Sequence, residues 1–185
     1  MLTLTALRVL LALATASAVS GDGLNTPHLG TTPNGFTAPP RGWNTFALQS
    51  LNPPFQLNQE NVITQCDAMA EKLGQYGYEY CSLDSGWSVG DQGDDYGRIQ
   101  YDTSKFDLPT LAAHLHSQNL KLGVYILPGY FYKDGSKTIY GTNPPITFTE
   151  AGAGTCNSLA RCAFNYAANG AQEYCNSVVN QFASW

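Results

Sequence analysis

Residues 80–87 read Tyr-Cys-Ser-Leu-Asp-Ser-Gly-Trp, a short apolar run that ends at a carboxylate followed by Ser, Gly and an indole. This pattern is typical of a buried strand that carries Asp84 to the edge of a sheet. In parallel α/β sheets and barrels, binding groups follow the carboxyl ends of strands, so Asp84, Ser85 and Trp87 are candidates for a binding site. Asp, Ser and Gly are also ordinary turn residues, and this stretch alone supports a simple turn equally well.

Two further strands and three helices are predicted around this stretch. Asn58 and Asp107 are good helix caps, and Pro109 suits the first turn of the second helix. Because strands and helices alternate, the pattern predicts a parallel sheet with right-handed crossovers. The predicted strands cover 41–46, 78–83 and 121–127, and the predicted helices cover 58–73, 107–119 and 171–185.

The segment between the third strand and the third helix has no clear periodicity. Residues 128–155 are rich in Gly, Pro, Tyr and Thr and are predicted to form a long loop. Loops of this length in compact domains usually serve as lids or binding segments. Cys156 and Cys162 lie close together in sequence and would staple the end of this loop if oxidised.

The composition limits the class of protein and of ligand. The 185 residues are 43% hydrophobic and 12% aromatic, which is enough for a folded core. A net charge of -5 and only 12% charged residues provide no basic face, which argues against nucleic acid as a partner. Many aromatic rings among few charges suit carbohydrate binding, although core packing explains most aromatic residues in most proteins.

The amino-terminal residues predict export from the cell. Residues 1–20 carry one positive charge, Arg8, then a short apolar run and small residues, which is the pattern of a secretory signal peptide. The apolar run is too short for a membrane span. Residues 21–40 form an irregular lead-in, and 41–185 form the domain, so we expect a secreted, extracellular protein without membrane attachment.

The cysteines and histidines do not predict a metal or a cofactor. The five cysteines match no zinc spacing, and in a secreted protein they are candidates for disulfides. Because five is odd, one thiol is free or has its partner elsewhere. His114 and His116 point to different faces of a helix, and the acidic loop 90–97 lacks the spacing of an EF-hand.

Several segments together resemble the α-galactosidase-type glycoside hydrolases of family 27. Residues 39–46, Pro-Pro-Arg-Gly-Trp-Asn-Thr-Phe, are similar to the family's opening Pro-Pro-Met-Gly-Trp-Asn-Ser-Trp. Residues 83–87, Leu-Asp-Ser-Gly-Trp, resemble the family's Ile-Asp-Asp-Cys-Trp, and 116–125 resemble its His-Ser-Lys-Gly-Leu-Lys-Leu-Gly-Ile-Tyr. Segments 97–106 and 181–185 add further matches, in the same order and at matching spacings.

The resemblance implies a fold, an activity and a set of site residues. The family folds as a (β/α)8 TIM barrel, of which this chain would hold only the first three β/α units. Its members hydrolyse terminal α-galactosyl or related bonds with retention of configuration. By resemblance, Trp43 forms an apolar wall under the sugar, Asp84 and the position of Ser85 hold sugar hydroxyls, Tyr125 lines the pocket and Trp87 shapes the rim.

The chain departs from the family pattern at Ser85, at Gly86 and at the end of the third strand, which reads Tyr-Ile-Leu-Pro where the family has Tyr-Ser-Asp or Tyr-Ala-Asp. Ser85 replaces the second aspartate, which weakens the case for galactose and admits another sugar or a glucan-like or arabinose-like substrate. Gly86 replaces a cysteine, so that family disulfide is absent. A family cysteine after the third strand pairs with one just past the nucleophile, which implies that Cys156 or Cys162 has a partner beyond this chain.

The resemblance places the catalytic residues outside the chain. Retaining hydrolysis uses two carboxyl groups about 5 Å apart. In the family these groups follow the fourth and sixth strands, so both are expected beyond Trp185, and the 185-residue chain alone is expected to be an inactive fragment. No carboxylate of this chain is therefore assigned a catalytic role.

Two other interpretations remain compatible with the sequence. One is a non-catalytic secreted protein that binds carbohydrate. The other is an open α/β protein in which Trp43, Asp84 and Tyr125 are core and turn residues. The sequence indicates no oligomeric state.

Overall fold

The computed structural model describes residues 35, 39–51 and 53–185. The compact unit considered below is Pro40–Trp185. The predicted signal peptide, residues 1–20, and most of the predicted lead-in, residues 21–40, lie outside the described residues. No helix in the described part of the chain is long and apolar enough to cross a membrane.

A parallel sheet organises the first part of the unit, as the sequence predicts. Its strands are β1 (Gly42–Asn44), β2 (Tyr80–Leu83) and β3 (Lys121–Val124), in the order β1-β2-β3. The first strand is shorter than predicted because Asn44 Oδ1 accepts a 2.8 Å hydrogen bond from the backbone N–H of Phe46. This bond turns the chain into the short helix α1 (Phe46–Gln49), where the sequence predicts continued strand.

Two capped helices cross between the strands. Helix α2 (Gln59–Leu73) begins after Asn58, whose side chain accepts from the N–H of Asn61, and helix α3 (Leu108–Ser117) begins after Asp107, whose side chain accepts from the N–H of Thr110. Both predicted caps are confirmed. Each satisfies one of the backbone donors that a helix start leaves unpaired.

The main hydrophobic cluster lies between these helices and the sheet. Cys66 on α2 and Cys81 on β2 are both 0% exposed and form a disulfide that joins helix to strand. The sequence leaves this pairing open. The most deeply buried members of the cluster are Val62, Cys66, Cys81, Leu83, Trp87, Leu108, Leu111 and Leu115.

The prediction of one long loop over residues 128–155 is only partly confirmed, because short strands and a helix occupy its two ends, while residues 135–147 contain no helix or strand apart from one isolated bridge. The strands are β4 (Tyr130–Phe131), β5 (Gly152–Cys156) and β6 (Arg161–Phe164), in the order β4-β6-β5, and the helix is α4 (Phe148–Ala151). Each strand has only two to five residues, and glycines interrupt β5. Such short strands carry too little alternation to be distinguished from a loop.

A second disulfide closes this small sheet. Cys156 on β5 faces Cys162 on β6 in register, and the two are bonded, which confirms the predicted staple. In this structure the bond leaves neither cysteine free for the partner beyond the chain that the resemblance implies. Cys175, half-buried, is the free thiol among the five cysteines.

Helix α5 (Ala171–Ala183) follows the last strand and confirms the third predicted helix. Phe182, on this helix, packs against both hydrophobic clusters. The second cluster is built mainly from aromatic rings of the small sheet, α4 and α5, with centroid separations of 5.0 to 6.1 Å. Its rings are Tyr130, Phe148, Phe164 and Tyr174.

Candidate functional site

The carboxyl ends of the three parallel strands lie along one edge of the sheet. The register pairs Asn44 with Ser82 and Leu83 with Val124, so the strands end nearly level. Polar or aromatic residues follow each strand, and this is the edge where α/β proteins place their binding groups. The residues directly after the strands are Thr45, Asp84 and Tyr125.

Thr45 fixes the position of the Asp84 loop. Its side chain is completely buried, and its Oγ1 accepts a 2.8 Å hydrogen bond from the backbone N–H of Asp84. The same hydroxyl donates to Gln49 Oε1 at 2.7 Å, and Gln49 Nε2 donates to the carbonyl oxygen of Ser85 at 2.8 Å. The segment after β1, which includes helix α1, therefore holds residues 84 and 85 at the end of the neighbouring strand β2. This role of Thr45 and Gln49 is not predicted from the sequence, in which their separation of four residues is the only signal.

The Asp84 side chain serves the turn that follows β2. Its Oδ1 accepts a 2.7 Å hydrogen bond from the N–H of Ser85. Asp84 thus takes part in the turn after β2 through Oδ1, while Oδ2 accepts no hydrogen bond from the described residues.

Trp87 is both a core residue and a cleft residue. It is 1% exposed, its ring packs edge-on against Phe182 and Trp185, and its Nε1 donates a 2.7 Å hydrogen bond to the carbonyl oxygen of Tyr125. The Tyr125 ring is 41% exposed, while its backbone N–H donates to the Leu83 carbonyl. Trp87 therefore anchors the segment that presents the Tyr125 ring to solvent.

A cleft of about 310 Å³ lies at this edge and is named here the strand-end cleft. Three of the predicted residues, Ser85, Trp87 and Tyr125, line it together. Asp84 stands beside the cleft without lining it, and Trp43 packs edge-on against Phe55 with ring centroids 6.4 Å apart. The complete lining is Ser85, Gly86, Trp87, Ser88, Gly90, Ile99, Tyr125, Ile126, Leu127, Phe131, Leu159 and Arg161.

Arg161, on β6, also lines the cleft and is not predicted from the sequence. It is 7% exposed, and its Nη2 donates to the carbonyl oxygens of Leu127, at 2.9 Å, and Gly129. Its guanidinium carbon lies 4.2 Å from the centre of the Phe131 ring. Arg161 thus ties the chain after β3 to the small sheet and brings a positive charge to the strand-end cleft.

The acidic loop 90–97 makes protein contacts instead of forming a ligand cluster. Asp94 accepts from the N–H groups of Tyr96 and Arg98 and forms a 2.7 Å ion pair with the Arg98 guanidinium. Asp91 pairs with Lys133. Within the described residues, no group of three His, Cys, Asp or Glu side chains is placed to hold a metal ion.

A larger cleft of about 560 Å³ runs along α5. Its lining includes Arg98, Tyr140 and polar residues of the helix, and none of the predicted site residues. The strand-end cleft is therefore the better candidate site, since it unites residues from the ends of two adjacent strands.

Comparison with known proteins places the chain in a family. The family model described as alpha galactosidase A matches residues 39–177. Alpha-galactosidase 3 of Hypocrea jecorina is 39% identical over 178 residues, which cover 89% of this chain and 28% of that enzyme. An alpha-galactosidase of Coffea arabica is 34% identical over 90 residues, or 47% of this chain and 22% of that enzyme.

Solved structures show the same fold. A family 27 β-L-arabinopyranosidase of Geobacillus stearothermophilus, in complex with arabinose, superposes with a TM-score of 0.66 at 22% identity, covering 80% of this chain and 38% of that one. An isomalto-dextranase of Arthrobacter globiformis, complexed with panose, superposes with a TM-score of 0.57 at 23% identity. The match covers 78% of this chain and 26% of that one. The matches thus cover less than a third of the length of the Hypocrea and Coffea enzymes. They cover 38% and 26% of the two solved structures.

Proposed function

This chain belongs to the alpha galactosidase A family of glycoside hydrolases, and we propose that it contributes the first three β/α units and part of the sugar pocket of a secreted, retaining glycosidase. The proposed substrates are terminal α-galactosides or related glycosides. The observation that carries the proposal is the convergence of Ser85, Trp87 and Tyr125 on one cleft at the strand ends, within the segment that matches the family.

The arrangement of the cleft suits a sugar. Tyr125 offers an exposed aromatic ring, Trp87 a buried one, and Ser85 and Ser88 offer hydroxyl groups. Sugar rings present C–H faces that pack on aromatic rings and hydroxyl groups that need donors and acceptors. In the proposed function, Asp84 accepts from a sugar hydroxyl through Oδ2, and Trp43 provides apolar surface beside it.

The proposal places the catalytic carboxyl groups beyond Trp185. A retaining glycosidase needs a nucleophile and an acid/base about 5 Å apart. Of the three residues that directly follow the parallel strands, only Asp84 carries a carboxylate, and it serves the turn after β2. The complete barrel would supply the remaining strands and, with them, the catalytic pair.

Secretion forms part of the same proposal. Two disulfides join elements of the unit, and disulfides persist in oxidising compartments outside the cytosol. The pattern of residues 1–20 supports export by the same route.

A paired assay tests the proposal. The 185-residue chain and the longest product supported by transcripts are expressed and assayed for release of nitrophenol from an α-galactoside and a panel of related α- and β-glycosides. Activity in the longer product alone supports the proposal and identifies the sugar. Activity of the short chain would show that its own carboxylates are sufficient, and inactivity of both, with the short chain folded, would favour a non-catalytic carbohydrate-binding protein.

A further inference from the structure

The strand-end cleft has an unusual charge for a site related to α-galactosidases. Arg161 is the one charged residue among those that line it, and the lining contains no Asp or Glu. Position 85, where the resembling family has an aspartate, is a neutral serine in this chain. The Asp84 carboxylate lies beside the cleft and accepts from the N–H of Ser85.

The positive charge of Arg161 has no carboxylate partner in the described part of the chain. Nη2 donates to two backbone carbonyl oxygens, while Nε and Nη1 are buried and have no hydrogen-bond partner. Buried guanidinium groups are normally paired with an anion, because removing the charge from water is costly. Arg161 is therefore an under-compensated charge at the wall of a cleft.

The groups around Arg161 do not supply the missing anion. Burial raises the pKa of the Tyr174 hydroxyl, and the charge of Arg161 and a side-chain hydrogen bond with Arg161 only partly offset this, so Tyr174 is a neutral partner of Arg161 at neutral pH. Asp134 is fully buried but forms a 2.6 Å ion pair with Lys137 and accepts from the N–H of Gly93. Lys105 Nζ donates to the Gly86 carbonyl oxygen at 3.1 Å, but it is also paired with the Asp102 carboxylate at 3.1 Å, so it neither supplies an anion nor adds net charge.

We infer that the strand-end cleft binds a sugar that carries a carboxylate, and that Arg161 determines this specificity; the inference rests on the proposed carbohydrate-binding function. The unpaired Nε and Nη1 are covered by protein atoms, so Arg161 acts mainly through its charge, which its buried surroundings screen less than water would. Ser85 favours the same ligand because an aspartate there would repel a carboxylate, whereas a hydroxyl can donate to it. The cleft volume of about 310 Å³ suits a single sugar unit.

Binding of four monosaccharides to the 185-residue chain tests the inference. Galacturonic acid and glucuronic acid are compared with galactose and with the methyl ester of galacturonic acid, by ligand-observed NMR and calorimetry. The ester keeps the shape of the acid and removes its charge. We expect the acids to bind at least about tenfold more tightly than the two neutral sugars, and the difference to shrink as salt is added.

Variants assign the effect to its residues. Ser85→Asp leaves the hydrogen bonds of Arg161 intact and should weaken binding of the acids about tenfold, whereas Ser85→Ala should keep their preference over the ester. Arg161→Lys should retain part of the preference and Arg161→Met should abolish it. Because Arg161 also holds the Leu127 and Gly129 carbonyls, each variant is first compared with the parent by thermal unfolding. If the Arg161 variants do not fold, the inference is judged on Ser85→Asp alone, and unchanged binding of the acids by that variant would contradict it.

The outcomes separate this inference from the proposed function. Equal or tighter binding of galactose or the methyl ester, or no binding of any sugar by the folded chain, overturns the inference. Hydrolysis of neutral α-galactosides by the longer product is measured independently and would leave the proposed function standing in that event. Binding of the acids without hydrolysis of any glycoside would instead support the inference and remove the catalytic part of the proposed function.

Discussion

The indole Nε1 of Trp87 donates a 2.7 Å hydrogen bond to the carbonyl oxygen of Tyr125. The bond joins the segment after β2 to the segment after β3, at the point where the parallel strands stop pairing. Trp87 is 1% exposed, so its donor would be unsatisfied in the core without this acceptor. The buried indole therefore adds a side-chain hydrogen bond to the backbone bond from the Tyr125 N–H to the Leu83 carbonyl that already joins the two strand ends.

Replacing this indole tests its structural role. Trp87→Phe removes the donor and part of the ring, and we expect the free energy of unfolding to fall by about 2–4 kcal/mol, from the lost hydrogen bond and the space left behind. Urea unfolding followed by circular dichroism measures the change. Trp43→Phe is the matched control, since Trp43 is only half-buried, and its loss should stay below about 1 kcal/mol. Equal losses in the two variants would contradict this account.

Thr45 allows a second test at the same edge. Its buried hydroxyl accepts from the N–H of Asp84 and donates to Gln49. Thr45→Val keeps the shape and removes both bonds, so we expect a loss of about 1–3 kcal/mol in urea unfolding. Thr45→Ser retains the hydroxyl and should lose less than half as much. A valine variant as stable as the serine variant would show that the hydroxyl does not hold the loop.

The parallel sheet could be predicted because its signals are local. The apolar run before Asp84, and the capping residues Asn58 and Asp107, each act within a few residues of the chain. The small antiparallel sheet could not be predicted, because β4 and β6 pair residues thirty or more positions apart and neither strand exceeds four residues. Pairing over that distance leaves no local pattern.

In the candidate site, too, the residues that follow local patterns could be predicted, and those placed by long-range pairing could not. Ser85, Trp87 and Tyr125 were predicted because they follow strands of the local pattern, and they share one cleft. Arg161 was not predicted, because it reaches this cleft only through the pairing of β4 with β6. Thr45 was also missed, since a threonine at the end of a strand looks like any other β-branched strand residue.

Gly97 and Gly141 both have a positive φ, but only Gly97 is crowded by a neighbouring side chain. Replacing each with alanine therefore distinguishes the stability cost of backbone strain from the cost of steric crowding. Gly97 has φ +69° and a Cβ there would collide with the Phe148 ring, whereas Gly141 has φ +86° and open space around it. Gly97→Ala should therefore cost about 3 kcal/mol or more, from strain plus displacement of a core ring, and Gly141→Ala about 1 kcal/mol from strain alone. Thermal unfolding of the two variants measures the difference. Equal costs would show that Phe148 can move away freely.

The contact between Asp67 on α2 and His114 on α3 should make the stability of the fold depend on pH in the acid range. Burial tends to raise the pKa of Asp67, but hydrogen bonds from His114 Nε2, at 2.7 Å, and Gln118 Nε2, at 2.6 Å, outweigh it and hold the pKa below the ordinary value of 3.8. The ionised carboxylate therefore stabilises the fold above pH 3.8, and this contribution is lost as the pH falls from 3.8 through the lower pKa of the folded state.

Asp67→Asn should remove that dependence. In urea unfolding from about pH 5 down to about pH 2, the variant should lose stability less steeply than the parent below about pH 4. Asp95→Asn is the control, because Asp95 is exposed and forms no ion pair within the described part of the chain, and it should follow the parent. Identical profiles for the parent and Asp67→Asn would show that the contact with His114 does not persist in solution.

The two disulfides should differ in their reaction with a reductant. Cys66 and Cys81 are both 0% exposed beneath α2, whereas Cys156 lies at the exposed end of β5. Thiol–disulfide exchange requires access of the attacking thiolate to a sulfur, so mild reductant should open Cys156–Cys162 first. Alkylation of the new thiols followed by peptide mass mapping identifies the order of opening.

Removing the exposed disulfide gives its contribution to stability. Cys156→Ala combined with Cys162→Ala should lower the free energy of unfolding by about 2 kcal/mol, the chain-entropy value for a short closed loop. Cys175→Ala is the control, because this half-buried thiol is free, and its loss should stay below about 1 kcal/mol. Opening of Cys66–Cys81 first would contradict the prediction from accessibility. A double variant as stable as the parent would show that the small sheet does not depend on the Cys156–Cys162 disulfide, so that the β4–β6 pairing alone positions Arg161.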